Sequence, residues 1–257
     1  MLAFANLLPQ KHPKFWSRLD GVLRECKVDF ALIDDCKDIW VRDFMPIKLE
    51  SGTFVSYRYE PNYLAKYPEL RTQREKLPNH LDLILDGGNF VHCGKRVLMC
   101  EKILSENRPL SKNQIVAKIK EIMQIEEVIF LPKVPYDRYG HSDGMARWIE
   151  PNHLLVNDFT LENTAFQSKL QNALEGIQST FLHYPKTFWE KYKWGAYVNF
   201  VAINNLILLP VYGIAEDKVI QEQFEKIFAD KDIIPIVSCE IIKSGGALHC
   251  ISTEVAC

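Results

Sequence analysis

Short apolar runs bounded by glycine, asparagine or charged turns recur along the chain, and they alternate with longer segments whose apolar positions fall at helical spacing. Ala3 to Leu8 reads as a strand, Pro13 to Cys26 sets Phe15, Trp16, Leu19, Val22 and Leu23 at helical intervals, and KVDFALID resumes as a strand. Hairpins are predicted where two apolar runs flank a turn signal. One lies between Asp38 and Tyr59, with KLESG as its turn. GGNFVHCGKRVLMC turns at Cys93 to Lys95, GMARWIEPNHLLVND at Glu150 to Asn152, and NFVAINNLILLPV at Asn204 and Asn205. Helices separate the hairpins. SKNQIVAKIKEIMQ opens with a capping Ser111 and aligns Ile115, Ile119 and Met123, and LENTAFQSKLQNAL and EDKVIQEQFEKIF have the same character. DIIPIVSC is a further strand, leading to the terminal GGALHCISTEVAC.

The repeating element is therefore strand, helix, strand and hairpin, and its spacing carries information. Asp43, Asn89, Asp143, Asn199 and Cys250 each stand near the opening of a hairpin unit, at successive intervals of 46, 54, 56 and 51 residues. A period of that length predicts an internally repeated architecture in which each unit supplies one polar residue at the same structural phase. Arranged about an axis, the five residues would converge, and Cys250 would be the fifth contribution to a central site. A two-layer α/β domain with ordinary hairpins produces similar intervals.

The chain of 257 residues, 47% hydrophobic and 25% charged, is long enough for one domain, spanning 1–257, or two small ones, and reads as soluble and globular. With 31 basic and 33 acidic residues it has no phosphate-tracking face, since KYK at 191–193 and the scatter from Lys11 to Lys14 are too short, and a nucleic-acid partner is not expected. NFVAINNLILLPVYG is broken by Asn204, Asn205 and Pro210, well below the roughly 18 apolar residues of a membrane span. The seven cysteines (Cys26, Cys36, Cys93, Cys100, Cys239, Cys250 and Cys257) are odd in number and contain no CxxC pair. Without a secretory leader, they predict free thiols and a cytoplasmic location. No His and Cys spacing calls for a structural metal.

Chemistry concentrates in a few segments. Cys250 follows a Gly-Gly pair that permits close packing near a reacting sulfur, although a buried cysteine needs no such explanation. On a strand, His249 would face away from whatever Cys250 addresses, so a base must come from elsewhere. YGHSDGMARW offers His141 and Asp143, which on an extended backbone project to one side; a proton shuttle beside a carboxylate and a simple hydrogen-bonding pair both fit. DIWVRDFMP places Trp40 and Arg42 in one strand phase and Asp43 in the other, as a pocket wall with an acid or as an ion pair beside a core aromatic. In LDGGNF, Asp86 and Asn89 flank two glycines, and GAYVNF presents Asn199 as a pocket or capping residue.

WVRDFMP, LDGGNFVHC, GHSDGMAR, YVNF and GGALHCIS fall in the order found in the agmatine deiminase and peptidylarginine deiminase group of the pentein superfamily of guanidine-modifying enzymes, which this sequence resembles from Asp38 to Ser252. The resemblance implies an α/β fold, a five-bladed pseudo-symmetric α/β propeller of repeated ββαβ units. It also implies Cys250 as nucleophile, His141 as general acid/base, and Asp43 and Asp143 as the carboxylates that grip a guanidinium. Trp40 and Arg42 match the surrounding motif, Asp86 replaces a more usual glutamate in a substrate-binding role, and Asn89 and Asn199 would line or support the site. Met45 replaces the glycine of the usual WxRDxGP pattern, which threatens the loop at Asp43, and the chain is shorter than typical agmatine deiminases.

The implied reaction is conversion of a guanidinium to a ureido group with release of ammonia, on agmatine or an arginine-like small molecule, with a peptide arginine as a further possible substrate. It needs no metal or organic cofactor, and no oxygen-rich calcium loop is evident. An amidinotransferase using the same covalent intermediate and a non-catalytic guanidinium-binding protein are the rival readings. A homodimer is compatible with the repeat.

Overall fold

The computed structural model describes residues 1–185 and 196–256; the KYK segment and Cys257 lie outside the described residues. Fifteen strands among these form five sheets of three. In chain order they are β1 (Leu2–Ala5), β2 (Phe30–Ile33), β3 (Ile47–Lys48), β4 (Phe54–Arg58), β5 (His80–Ile84), β6 (Val91–Cys93), β7 (Arg96–Cys100), β8 (Glu127–Leu131), β9 (Ala146–Glu150), β10 (His153–Val156), β11 (Gln178–Phe181), β12 (Val201–Ile203), β13 (Leu206–Val211), β14 (Asp232–Val237) and β15 (Thr253–Glu254). The sheet orders are β3-β4-β5, β6-β7-β8, β11-β10-β9, β12-β13-β14 and β15-β1-β2. The repeat predicted from spacing is thus present as five like-built sheets. Where the register is defined, β4, β7 and β13 pair antiparallel with the preceding hairpin strand and parallel with the strand after the crossover, and β1 pairs antiparallel with β15 and parallel with β2.

Parallel neighbours need a crossover connection, and amphipathic helices supply four of them: Pro13–Glu25, Lys112–Ile122, Thr164–Ala173 and Asp217–Ile227. Two start as the sequence dictates. Ser111 and Gln114 close a reciprocal capping box, and Asn163 accepts the Phe166 amide at 2.9 Å. Between β4 and β5 the connection holds two short 3₁₀ turns instead, Asn62–Leu64 and Pro68–Leu70. The hairpin turns fall where they were expected, and Asn204 adopts the left-handed conformation (φ 53°) that asparagine tolerates well.

The chain divides into two compact units. The first comprises Met1–Val41, Leu155–Leu161 and Thr180–Cys257, and the second Arg42–Leu154 and Glu162–Ser179. In the first unit, Leu8, Phe15, Leu19 and Leu23 pack with Leu208, Ile236, Leu248 and Ile251, while Phe4, Trp16 and Phe30 meet edge to face at centroid distances of 5.5 to 6.1 Å. In the second, Val55, Leu81, Leu83, Val97 and Met99 are covered by Ile103, Ile115 and Ile119. Each such side chain contributes about 1.5–3 kcal/mol through burial. No helix among the described residues is long and apolar enough to cross a membrane.

Several expected extended segments are helical turns. Asp43 lies in Val41–Phe44, Asp143 in the 3₁₀ turn Ser142–Gly144, and Cys250 in a turn that precedes β15. The physical reason is visible at two of them. Val41 with Phe44, and Leu248 with Ile251, are buried pairs three residues apart, a spacing that one helical turn buries and a strand splits between faces. The alternation argued for Trp40, Arg42 and Asp43, for His141 and Asp143, and for His249 and Cys250 therefore does not hold. Ala3–Leu8 is likewise shorter than expected, as β1 ends at Ala5 and Leu7–Lys11 is helical. The terminal segment is not frayed: β15 pairs with β1, matching Ala3 to Thr253.

The Leu23→Ala variant should lose about 2–5 kcal/mol, the range for emptying a fully buried leucine site. Urea denaturation should show a lower midpoint at unchanged slope; a loss below about 1 kcal/mol would mean that the helix does not anchor this core.

Candidate functional site

In the second unit, turns at the heads of β3, β6 and β9 bring Asp43, Asp86 and His141 together. Asp86 is fully buried at the last extended position before the 3₁₀ turn Gly87–Asn89, and His141 holds the same place before Ser142–Gly144. His141 Nε2 lies 2.9 Å from Asp86 Oδ2, and His141 Nδ1 lies 3.5 Å from Asp43 Oδ1. The imidazole is thus flanked by a carboxylate on each nitrogen. Asp143, 1% exposed, lies near enough for its charge to act on Asp43.

The glycine pair exists for this approach. A Cβ on Gly88 would come within 2.7 Å of Asp43 Oδ1 and 2.8 Å of His141 Nδ1, and one on Gly87 would overlap the Arg42 carbonyl oxygen. The bare Gly88 backbone instead donates to Asp43 Oδ1 at 3.1 Å. The concern over Met45 is answered here. Its φ is not in the left-handed region, and the Tyr57 hydroxyl donates to the Asp43 carbonyl at 2.6 Å with the Met45 carbonyl at 3.1 Å, holding the loop without a glycine.

Electrostatics follow from burial and these contacts. Burial alone would push Asp86 upward, but the Lys102 ammonium and the His141 hydrogen bond outweigh it and hold the carboxyl below its ordinary value. Burial also opposes charge on His141, yet Asp43 and Asp86 raise it to about 9. Asp43, desolvated and repelled by Asp86 and Asp143 against the opposing pull of His141, is raised to about 7. These contacts favour the charged form of the imidazole beside an ionised Asp86.

In the first unit, Cys250 is buried and tied to Asn199. The Asn199 amide nitrogen donates to Cys250 Sγ at 3.2 Å, its side-chain oxygen accepts the Cys250 amide at 3.2 Å, and its carbonyl accepts the His249 amide at 3.0 Å. One asparagine thus fixes the turn and points a donor at the sulfur, where it favours negative charge. Trp40 lies close by. A Cβ on Gly246 would sit 2.6 Å from the Trp40 ring and 3.1 Å from Cys250 Cβ, so the glycine leaves room for both.

The remaining expected residues take supporting places. Asn89 bonds the Cys100 backbone at both ends of its amide, accepting at 2.6 Å and donating at 3.2 Å, which locks its turn to β7. Arg42 presents its backbone to Gly87. Sequence reasoning missed Lys102, a buried cation bonded to Asp86, along with Glu106, Tyr57 and the two rings beside His141, Tyr63 and Tyr139. All six described cysteines are free.

The fold agrees with known proteins. The chain matches the family described as Porphyromonas-type peptidyl-arginine deiminase over residues 12–255, and it belongs to that family. Among relatives, a Mycoplasma capricolum protein provisionally named an agmatine deiminase is 29% identical over 209 residues, covering 67% of this chain and 57% of that protein. A Shewanella baltica protein of the same provisional name is 31% identical over 103 residues, covering 40% of this chain and 26% of its own. These matches span less than two thirds of the relatives' lengths. Among solved structures, the agmatine deiminase of C. jejuni aligns at TM-score 0.75 and 22% identity, covering 98% of this chain and 92% of that one. A second C. jejuni structure, with substrate bound, aligns at 0.72. A dimethylarginine dimethylaminohydrolase aligns at 0.61 with 14% identity, covering 99% and 98%. The expected fold class is the one these structures share.

The raised pair makes a signed prediction. A group whose folded pKa lies above its unfolded value stabilises the fold at low pH and loses that contribution as pH rises through the folded value. His141 (about 9 against 6.5) should therefore make stability fall between about pH 7 and 9. Thermal unfolding across that range should show the decline in wild type and a flatter profile in His141→Gln; equal slopes would contradict the charge assignment.

Proposed function

We propose that this chain is a hydrolase that converts a guanidinium to a ureido group with release of ammonia, through a covalent intermediate on Cys250, and that its substrate is agmatine or another small guanidinium compound. Membership of a deiminase family and the relatives named agmatine deiminase support this reading. The observation that carries it is His141 set between two buried carboxylates, one at each ring nitrogen, an arrangement that suits a proton donor to a departing amine.

The guanidinium carbon is a weak electrophile because its charge is spread over three nitrogens. In the proposed reaction Asp43 and Asp143 accept its N–H groups in charge-assisted hydrogen bonds, which hold the carbon for attack. The arriving cation also removes the repulsion between the two acids, so binding favours both as carboxylates. Cys250 attacks as the thiolate, with the Asn199 amide stabilising the sulfur charge. His141 then gives a proton to the departing nitrogen, ammonia leaves, and an amidino-thioether remains. The neutral imidazole takes a proton from water as that water adds to the same carbon. That proton returns His141 to its charged form, and collapse of the adduct expels the Cys250 thiolate and leaves the ureido product, with the remaining hydroxyl proton passing to solvent, where the released ammonia becomes ammonium. Trp40 walls the sulfur, and Arg42 and Asn89 support the turns that carry the acids.

The reading is tested by ammonia release from agmatine, free arginine, methylated arginine and an arginyl peptide, with products identified by mass. Wild type should form a ureido product from at least one of them, agmatine first, and Cys250→Ser should form none. Asp43→Asn and Asp143→Asn should each lower kcat/KM on the order of 10²-fold, with the fold intact by circular dichroism. Product formation by Cys250→Ser, or an effect of less than about threefold from both asparagine variants, would overturn the assignment.

A further inference from the structure

Lys102 follows β7 and opens the short helix Lys102–Glu106, a place where a lysine would ordinarily reach solvent. Its side chain is 3% exposed. The ammonium bonds Asp86 Oδ2, the same oxygen that His141 Nε2 meets at 2.9 Å, so one carboxylate oxygen serves two cations. Glu106 Oε1 lies 3.6 Å from Nζ, and the face of Tyr63, whose ring also packs against His141, lies 5.4 Å away. The aliphatic stem is fixed as well. It runs beneath Gly140, the residue before His141, where φ is +67° and a Cβ would press on Lys102 Cδ at 3.1 Å. Lys102 thus touches the His141 segment at both ends, through Asp86 at its head and Gly140 along its stem.

We propose that Lys102 is a positioning residue for His141: its ammonium is the counter-ion that keeps Asp86 a carboxylate in a fully buried place, and the Oδ2 held by that ammonium orients the His141 imidazole through Nε2. This rests on the deiminase reading for its kinetic consequence, but its structural content stands apart. A buried carboxylate without a partner takes up a proton. A protonated Asp86 could turn its hydroxyl toward another acceptor, and the imidazole would lose the contact that sets its plane. Lys102 does not act on the substrate. Its effect passes through Asp86, so removing it should have no further consequence once Asp86 is already an amide.

The test uses Lys102→Met, Lys102→Arg, Asp86→Asn and the Lys102→Met/Asp86→Asn double variant, read by the nitrogen-15 resonances of the His141 imidazole and by kcat and KM on whichever panel compound is turned over. In wild type the Nε2–H signal of His141 should be shifted downfield and slow to exchange, as for a proton held by a buried carboxylate. Lys102→Met should lose that signal and lower kcat on the order of 10²-fold with KM changed less than about threefold, the pattern of a misplaced catalytic group. Lys102→Arg should retain the signal. The double variant, which removes the Asp86 charge together with the Lys102 ammonium, should match Asp86→Asn in both readouts. Independent, multiplied losses in the double variant would overturn the proposal, as would a folded Lys102→Met with the His141 signal unchanged. If the signal behaves as described but wild type yields no ureido product from any panel compound, the positioning role stands and the deiminase reading fails.

Discussion

One buried interaction organises the acidic cluster, the Asp86 carboxylate held between the Lys102 ammonium and the His141 imidazole. Three acids and a histidine drawn together out of water would relax by protonating. Lys102 supplies the charge that lets Asp86 remain an anion, and the Asp86 anion with Asp43 holds His141 as a cation. Asp43, desolvated and repelled by Asp86 and Asp143, is the acid whose proton affinity rises. Two neighbouring aspartates are thus driven in opposite directions by their partners, one fixed as a structural anion and the other left responsive to an arriving cation.

The fold makes these contacts possible by repeating one device. Each hairpin is preceded by a single tight turn, and that turn, rather than the strand, delivers the polar residue: Asp43, Asn89, Asp143, Asn199 and Cys250 all lie in or directly beside one. The turns are fastened to the sheets by backbone-directed bonds, from Asn89 to Cys100, from Ser142 Oγ to the Leu98 carbonyl at 3.1 Å, and from Tyr57 to the Asp43 loop. Glycines stand where two turns come closest. Side-chain placement at the polar groups is therefore set by rigid elements with little freedom to relax, the condition under which small misplacements cost large factors in rate.

Much of this was legible in the sequence, for physical reasons that differ by residue. Hairpins and their turns were read correctly because Asn-Asn, Cys-Gly-Lys and Glu-Pro-Asn signals punctuate runs of period two. The five polar positions followed from the interval between hairpins. The backbone around them was misread because four-residue turns are too short to show a period, although the Val41–Phe44 and Leu248–Ile251 pairs were the available sign. Lys102 was not legible at all, since only folding brings it to an acid sixteen residues earlier. Asn199 was read as a pocket or capping residue, and it bonds both the sulfur and the backbone of the Cys250 turn, a pairing of residues 51 apart that no local pattern shows.

A covalent intermediate on Cys250 is open to detection by intact-protein and peptide mass spectrometry on enzyme quenched in acid during turnover of its best substrate. An amidino adduct on the peptide containing Cys250, present during turnover, gone when substrate is exhausted and absent from Cys250→Ser, is the predicted result. Ureido product accumulating with no adduct on Cys250 under any quench interval, or an adduct on another cysteine, would contradict it.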